Sequence, residues 1–481
     1  MKIQIIMDRR KFFKYGSLAT AGVALLSPID ILARPAEISG KGKTAKNIIM
    51  LISDGMSTGT LNMADLYLNR IHGRSSNWMQ LYKDNKVSRA LMDTASASSI
   101  VTDSAAASSA FGGGVRVKNG SLNVNPDGST NTPIWQKFKK AGKKVGCVTT
   151  VAITHATPAG FCVTSNSRNS QPEIADTYHK LGFDVMMGSG NLYFSPDKRE
   201  DKKNVYNEYV KKGYQVVRNR QEMMNANVNQ PILGVFDEDS LPYSVDRNAS
   251  QDIQNQFPSL AEMTKKAIDS MQSHKEGFVL QVEAGKVDWA AHANDIAGLI
   301  HDQIAFDDAV KIAMDFAEKD GNTLVIITTD HGNANPGVIY GKNANTGFDL
   351  LAKFTQTNEW ILNQIKENDT TNHIKELVYQ SNGFALTDEE ASKIKSYYDG
   401  LEVAEDGLYN YKKLPYKYFS EIQKPHNSIG WISMDHSADY VELAMFGPGS
   451  ELLKPFIKNT DIHYLMLEAA GLKAERPSNV K

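Results

Sequence analysis

The sequence is poor in cysteine: its 481 residues include two, Cys147 and Cys162. A fold that depends on a framework of disulfide bridges is therefore excluded, although a single bridge between the two remains open in an oxidising compartment. Because each cysteine lies in an apolar stretch, we expect two buried small side chains rather than a disulfide.

The sequence also lacks an excess of charge of either sign. It has 53 lysines and arginines against 55 aspartates and glutamates, which gives a formal net charge of -2. A protein that holds a nucleic-acid backbone needs a basic excess, so we expect no nucleic-acid-binding domain. With 22% charged and 41% hydrophobic residues, the chain has an ordinary globular composition and is long enough to bury a large core.

The N-terminus has an apolar stretch, Leu18 to Leu26, that is too short to span a bilayer. A charged segment precedes it, and this order is typical of a cleavable export signal. The pair Arg9-Arg10 and the residues after it resemble a twin-arginine signal. We therefore predict an export signal over residues 1–36, a periplasmic protein, and no membrane span once the signal is removed.

Apolar runs rich in β-branched residues alternate with helical patterns along the chain, which predicts an α/β fold with a mostly parallel sheet covered on both faces. The predicted strands are 47–52, 145–153, 278–282, 323–328 and 441–446, and the clearest predicted helices are 132–141, 259–271 and 298–318. With no internal repeat and no second boundary, residues 37–481 are predicted as one domain. It carries a helical insertion over about 345–428, whose dense aromatic residues we interpret as packing or a dimer contact. We expect the insertion to form either part of a dimer interface or a rim over the site.

Polar residues that can bind metals follow four of these strands: Asp54, His155 with Thr157, Glu283, and Asp330 with His331. In open α/β sheets, sites form in the crevice beyond the carboxyl ends of the strands. Residues that are far apart in the sequence should therefore converge at this edge of the sheet.

The segment from Val101 to Ala110 places a hydroxyl, Ser104, ahead of a run of small helix-compatible residues. At a helix N-terminus, this hydroxyl would lie beside unpaired N–H groups that attract a phosphate. Taken alone, the pattern is better explained by a serine N-cap, because N-cap serines are common.

The segment from Glu283 to His292 favours the catalytic interpretation. Asp288 and His292 are four residues apart, so on a helix they face the same way and can bind one cation. His436 supplies a further imidazole ahead of the last predicted strand. So many buried charged groups are costly unless they are paired or bind metals.

These motifs together resemble the alkaline phosphatases in residue type, order and local spacing. The resemblance covers nearly the whole chain after the signal, apart from the insertion. It is carried by Asp54-Gly55-Met56, Thr102-Asp103-Ser104-Ala105-Ala106, His155-Ala156-Thr157-Pro158-Ala159-Gly160, Val282-Glu283 with Asp288 and His292, and Thr329-Asp330-His331.

The resemblance implies a three-layer alkaline-phosphatase-like sandwich that acts as a homodimer and binds two zinc ions and a third metal, usually magnesium. It implies that one zinc ion is bound by Asp288, His292 and His436. A second zinc ion would be bound by Asp54, Asp330 and His331, and this ion would also bind the Ser104 oxygen. Asp54 would reach the third metal, held also by Thr157 and Glu283. Arg168 would bind the phosphate, with Asp103 orienting its guanidinium.

The implied reaction is hydrolysis of small phosphate monoesters through phosphoserine at Ser104, with release of inorganic phosphate. A hydroxyl is a weak nucleophile near neutral pH, and metal coordination lowers its pKa. The planar guanidinium of Arg168 matches two phosphate oxygens better than a lysine would.

Two positions depart from the best-known enterobacterial pattern, which has aspartate in place of His155 and lysine in place of Trp289. Family members from other bacteria are similar to this sequence in carrying histidine and tryptophan there. We expect His155 to lie near the third metal, which can then be zinc instead of magnesium, and Trp289 to lie near the substrate or to pack.

Three other functions were weighed against a phosphomonoesterase. A sulfatase of the same superfamily needs a Cys or Ser in a C/S-x-P-x-R pattern, which neither Cys147 nor Cys162 begins. A phosphodiesterase should lack an arginine that clamps a terminal phosphate, and Arg168 argues against it. A metal- or phosphate-binding protein without turnover would usually have lost Ser104 or Arg168.

Overall fold

The computed structural model describes residues 44–404, 407–474 and 476 of the chain. The export signal predicted over residues 1–36 lies outside these ranges and stays a prediction. Within them, no helix combines the length and the apolar character needed to cross a bilayer.

The described residues form fourteen strands and nineteen α-helices. The strands are β1 (Asn47–Ser53), β2 (Ser88–Asp93), β3 (Lys144–Ala152), β4 (Val185–Ser189), β5 (Gln215–Val217), β6 (Ile232–Val235), β7 (Phe278–Ala284), β8 (Thr323–Thr328), β9 (Gly332–Asn333), β10 (Gly337–Val338), β11 (Ile429–Gly430), β12 (His436–Ser437), β13 (Tyr440–Phe446) and β14 (Phe456–Lys458). The helices are α1 (Thr58–His72), α2 (Asn77–Lys83), α3 (Ser104–Gly113), α4 (Ile134–Lys140), α5 (Ala156–Cys162), α6 (Gln171–Leu181), α7 (Val205–Lys211), α8 (Arg220–Asn225), α9 (Ser244–Ala249), α10 (Gln251–Gln256), α11 (Leu260–Met271), α12 (Lys286–His292), α13 (Ile296–Asp320), α14 (Ala344–Asp349), α15 (Asn358–Gln364), α16 (Thr371–Asn382), α17 (Asp388–Lys395), α18 (Tyr416–Asn427) and α19 (Asp461–Ala469).

Ten of the strands form one sheet in the order β14-β2-β13-β8-β1-β7-β3-β4-β6-β5. β13 pairs antiparallel with both of its neighbours, and the other pairings in this sheet are parallel. The predicted α/β class with a mostly parallel sheet is therefore confirmed. The parallel strands β1, β3, β7 and β8 bring their carboxyl ends to one edge, where the motif residues follow.

Alternate side chains of each central strand pack into different cores, one on each face of the sheet. In β1, Ile49 and Leu51 belong to the core under α1, α11 and α13, whereas Ile48, Met50 and Ile52 belong to the core under α3 to α6 and α19. Because side chains on both faces of these strands are buried, the strands appear in the sequence as continuous apolar runs. The arrangement of helices, sheet and helices is the predicted three-layer sandwich.

The stretch predicted as a helical insertion contains five helices, α14 to α18. Its apolar side chains join the core on the α1, α11 and α13 side of the sheet, among them Ile361, Ile374 and Phe419. Tyr409 and Phe419 are buried, as the packing interpretation predicts. The segment between α17 and α18 reaches the cavity described below.

The two cysteines are buried free thiols, one in β3 and one at the end of α5. The Sγ atoms of Cys147 and Cys162 are 3.7 Å apart, which is beyond disulfide bonding distance. Burial raises the pKa of the Cys162 thiol. Both residues therefore act as small apolar side chains, as predicted.

Candidate active site

Ser104 is the first residue of α3, and its side chain is buried at the bottom of a cavity. The N-cap is Asp103 rather than Ser104, because the Asp103 carboxylate accepts a hydrogen bond from the backbone N–H of Ala106. The Ser104 hydroxyl is thus free of a capping role and lies 3.3 Å from Nε2 of His331. The simple serine N-cap interpretation does not hold here.

Asp103 also holds Arg168 in place. Its Oδ2 atom accepts from the backbone N–H of Gly120 at 2.9 Å and from Nη1 of Arg168 at 3.2 Å. The backbone N–H of Arg168 donates in turn to the carbonyl of Gly120. One carboxylate therefore links the start of α3 to the guanidinium, which lines the same cavity as Ser104.

Asp288, His292 and His436 form the first of three groups of possible metal ligands. Asp288 and His292 lie on α12, with Nε2 of His292 3.4 Å from Oδ2 of Asp288. Nε2 of His436 lies 3.1 Å from Nε2 of His292. Asn333 donates to Oδ1 of Asp288 at 2.7 Å and so fixes its carboxylate.

The backbone sets the tautomer of both histidines. Nδ1 of His292 lies 2.7 Å from the carbonyl of Met434, and Nδ1 of His436 lies 2.9 Å from the carbonyl of Thr102. A carbonyl accepts only, so each Nδ1 carries a proton, and each Nε2 faces Asp288 and is the atom that a cation would bind. Backbone carbonyls hold metal-binding imidazoles in this same orientation.

Asp54, Asp330 and His331 form the second group, and all three are fully buried. Oδ1 of Asp330 accepts from the backbone N–H groups of Gly55 and His331, whereas its Oδ2 has no hydrogen-bond partner in the described chain. Oδ1 of Asp54 is likewise unpartnered. Buried carboxylate oxygens are rarely left without a donor, and a cation between these groups would satisfy both.

Gly55 lets the first two groups approach each other. It adopts a φ of +67°, and a Cβ at this position would lie 2.3 Å from Oδ1 of Asp288. Any other residue would therefore collide with a candidate ligand and be strained in its backbone.

The third group joins Asp54 to Glu283 and His155. Thr157 donates to Oδ2 of Asp54 at 3.3 Å, and Thr149 donates to Oε2 of Glu283 at 2.6 Å. Oε1 of Glu283 has no partner in the described residues. The threonines thus orient two carboxylates whose remaining oxygens are available to a cation.

His155 lies between the third group and the guanidinium. Its Nδ1 is 3.5 Å from Oε1 of Glu283, and its Nε2 is 3.1 Å from Nη2 of Arg168. Because a guanidinium only donates, Nε2 accepts and Nδ1 carries the proton. In this state His155 positions Arg168, and binding a metal through Nδ1 would exclude that hydrogen bond.

The crowding of charges shifts several pKa values. Burial, followed by the charges of Asp330, Asp288 and Glu283, raises the pKa of Asp54 well above its usual range. Burial opposes ionisation of Asp288, but the neighbouring His292 outweighs it and lowers the pKa of Asp288. Burial also lowers the pKa of His292, but Asp288 outweighs this and raises it to about 9. The group around Asp54 therefore lacks cationic partners of its own.

Trp289 lines the cavity beside Asp288. The ammonium group of the buried Lys286 lies 4.8 Å from the Trp289 ring centroid and 3.6 Å from that of Tyr243. These contacts hold the indole of Trp289, which is part of α12, close to the loop that precedes α9. Trp289 thus forms part of the cavity wall and packs at the same time, and its contact with a substrate stays a prediction.

The cavity has a volume of about 810 Å³ and collects most of the predicted site residues. Those that line it are Ser104, His155, Arg168, Asp288, Trp289, His292 and His436. Those that are fully buried are Asp54, Thr157, Glu283, Asp330 and His331, and Asp103 acts through Arg168. Nothing in the sequence singled out Asn333, which lies two residues after His331. For the insertion, a rim over the site was one of two expectations, but the sequence did not show that Tyr411 and Tyr416 line the cavity.

Comparison with known proteins agrees with this geometry. The alkaline phosphatase family model matches residues 45–472. Alkaline phosphatase 4 of Bacillus subtilis is 31% identical over 455 residues, which cover 92% of this chain and 93% of that protein. Alkaline phosphatase 3 of the same organism is 32% identical over 484 residues, which cover 94% and 95%.

The fold is similar to that of the crystal structure of Thermus thermophilus alkaline phosphatase. The TM-score is 0.83 at 31% sequence identity, and the match covers 94% of this chain and 97% of that one. The chain therefore belongs to the alkaline phosphatase family.

Proposed function

We propose that this phosphatase hydrolyses phosphate monoesters through a phosphoserine intermediate on Ser104. The observation that carries the proposal is that a buried hydroxyl, three groups of metal ligands and a positioned guanidinium meet in one cavity. A second function of the same superfamily, phosphodiester hydrolysis, is not favoured, because Arg168 lines the cavity with Ser104 and its guanidinium suits the free oxygens of a terminal phosphate.

The residues present fit three metal ions, since unpartnered carboxylate oxygens remain on Asp54, Glu283 and Asp330. We propose that one zinc is held by Asp288, His292 and His436 and another by Asp54, Asp330 and His331. The third ion, magnesium or zinc, is held by Asp54, Thr157 and Glu283, with His155 beside it. When bound, such ions lower the pKa of a hydroxyl and neutralise charge on the phosphate.

The protein's own groups divide the remaining work. The Ser104 hydroxyl releases its proton to solvent and its oxygen forms a bond to phosphorus while the ester P–O bond breaks, and the alcohol leaves with a proton from solvent. Arg168 and the N–H groups in the first turn of α3 bind the phosphate oxygens and hold the phosphorus in line with Ser104. Water then cleaves the Ser104–phosphate bond and releases inorganic phosphate.

Hydrolysis of p-nitrophenyl phosphate and bis-p-nitrophenyl phosphate at alkaline pH, with and without a zinc chelator, tests the proposal. We expect fast cleavage of the monoester, slow cleavage of the diester, and loss of both after chelation. Preference for the diester would assign the chain to phosphodiester hydrolysis instead. Cleavage of neither ester by the metal-loaded protein would contradict an enzymatic role.

Replacing Arg168 with alanine should weaken the binding of inorganic phosphate by about 10- to 100-fold, because hydrogen bonds to a charged group are lost. We expect kcat to fall much less than the affinity, since Ser104 and the metal ligands remain. The competitive inhibition constant for phosphate and kcat for the monoester measure the two effects. The matched control is Arg116→Ala, because Arg116 has a similar exposure of 24% and a similar ion pair with Asp93 but lies outside the cavity. Equal effects of the two substitutions would contradict the role of Arg168.

We also propose export to the periplasm through the signal at residues 1–36 and assembly into a homodimer. Both rest on the sequence and on the family resemblance. Fractionation of cells that express the full chain, with and without replacement of Arg9 and Arg10 by lysine, tests export. Retention of the doubly substituted chain in the cytoplasm is expected, and sedimentation of the mature protein as a monomer would contradict the dimer.

A further inference from the structure

The cavity is larger than a phosphate group requires. Its volume of about 810 Å³ lies in the range of sites that enclose a drug-sized ligand. Ser104 and Arg168 occupy one part of the lining, and a segment of the insertion occupies another. The space between them can hold the alcohol part of a phosphate ester.

The insertion contributes six residues to the lining: Glu359 of α15 and five others that we call the outer wall, namely Tyr411, Lys412, Leu414, Tyr416 and Lys417. The wall is held in place by buried contacts. Leu414 and Tyr416 are buried, and the backbone N–H of Tyr409 donates to the side chain of Asn363 in α15. The Asn410 side chain accepts from the backbone N–H of Lys412 and so caps the turn that presents Tyr411 and Lys412.

In the part of the chain that the structure describes, the two lysines of the outer wall have no acidic partner. Both are exposed, and no carboxylate of the described chain lies within 4.0 Å of either ammonium nitrogen. The one aromatic contact is that of Lys412, whose Nζ lies 5.8 Å from the ring centroid of Tyr411. Their charge is therefore available to a ligand in the cavity.

We propose that the outer wall binds the alcohol part of the substrate, and that Lys412 and Lys417 select monoesters whose alcohol part carries a second anionic group. This inference rests on the proposed phosphomonoesterase function. Asp239 and Glu359 also line the cavity and act in the opposite direction. Removal of the negative charge of Glu359 should therefore favour the same anionic substrates.

Phenyl phosphate and p-carboxyphenyl phosphate test the proposal, because they differ by one carboxylate on the far side of the ring. The readout is kcat/KM for each ester with the metal-loaded full-length mature protein at low ionic strength. Each of Lys412→Gln and Lys417→Gln should lower kcat/KM for the carboxylated ester about three- to five-fold, the range of an exposed ion pair. The double variant should lower it about ten-fold and change phenyl phosphate less than about two-fold.

Two further variants separate this role from a general change of surface charge. Lys413→Gln removes the neighbouring exposed lysine, which does not line the cavity, and should leave the ratio of the two substrates unchanged. Glu359→Gln should raise the ratio in favour of the carboxylated ester. Added salt should weaken the preference of the wild type and leave the double variant unaffected.

The outer-wall proposal would be overturned if the double variant left the ratio of kcat/KM for the two esters unchanged. It would also be overturned if Lys413→Gln lowered this ratio by the same factor. Continued cleavage of phenyl phosphate in that case would leave the phosphomonoesterase function intact. Release of phosphate from neither ester by the wild type would overturn both.

Discussion

Replacing Ser104 with alanine should lower kcat for phosphate monoesters by about 10³-fold or more, because the attacking oxygen is removed. Ser104 is the first residue of α3, and its buried hydroxyl lies 3.3 Å from Nε2 of His331. No other hydroxyl of the described chain occupies this position. The substitution removes one small polar group and leaves the Asp103 cap on Ala106 intact. The fold and the metal content should therefore be preserved.

The matched control for this prediction is Ser109→Ala in the same helix. The Ser109 hydroxyl accepts from the backbone N–H of Asn123, on the side of α3 that is remote from the metal groups. We expect a modest loss of stability, about 1 kcal/mol for one hydrogen bond, and nearly unchanged kcat. Mass spectrometry of acid-quenched reactions should find phosphate on the Ser104 peptide of the wild type and of Ser109→Ala.

More than about a tenth of wild-type activity in Ser104→Ala, with the metal content unchanged, would be far above the residual rate left by removal of a nucleophile. The phosphoserine mechanism would then be wrong. Phosphate on a different residue would identify the true nucleophile.

The position of the site could be predicted because the sheet is mostly parallel. Parallel strands point their carboxyl ends to one edge, so residues after β1, β3, β7 and β8 must converge whatever their separation in sequence. Buried apolar runs mark these four strands clearly. The resemblance to the alkaline phosphatases then supplied what the strands alone do not, namely which residue accompanies which in each metal group.

The outer part of the sheet was harder to predict for a physical reason. β5 and β14 have three residues each, and such short strands carry no alternation or apolar run that stands out from a loop. The direction of β13 was also not predictable, because a strand buried on both faces has the same pattern in either direction. Its antiparallel pairing with β8 and β2 is set by the chain's path.

The insertion was expected at a dimer interface or at the rim of the site, but its individual cavity residues could not be predicted, because packing and binding use the same residues. The aromatic-rich stretch contains Tyr409 and Phe419, which are buried, Tyr411, which lines the cavity, and Tyr416, which does both. No local pattern in the sequence separates these rings.

Replacing Asp54 with asparagine should have opposite effects on the metal-loaded and the metal-free protein. Asp54 belongs to two of the three metal groups, so the loaded variant should lose metal and lose activity by about 10²-fold or more. In the chelated protein the same carboxylate is fully buried near Asp330, Asp288 and Glu283. There the neutral amide should stabilise the fold by about 1–3 kcal/mol, because it removes a buried carboxylate that Asp330, Asp288 and Glu283 repel.

The pH dependence of the chelated protein follows from the same charges. Burial and its acidic neighbours raise the pKa of Asp54 in the folded state above the ordinary value of 3.8. The folded state therefore binds a proton that the unfolded state releases, and the stability from Asp54 is fully present below pH 3.8 and lost as the pH rises through the raised pKa. Chelated wild type should lose stability with rising pH over this window, and chelated Asp54→Asn should lose less.

Denaturant unfolding of both chelated proteins, wild type and Asp54→Asn, between about pH 5 and pH 9 gives the free energy of unfolding of each. It measures the difference in this free energy between the two proteins and its change with pH. Asp252→Asn is the control, because Asp252 is an exposed carboxylate in α10 and its loss should change stability by no more than about 0.5 kcal/mol. A chelated Asp54→Asn that is less stable than chelated wild type at alkaline pH would show that the chain itself compensates the carboxylate. The buried acidic residues would then stabilise the fold without a metal, and their role as ligands would have to be reassigned. The expected reversal instead means that the fold tolerates these residues because metal binding compensates them.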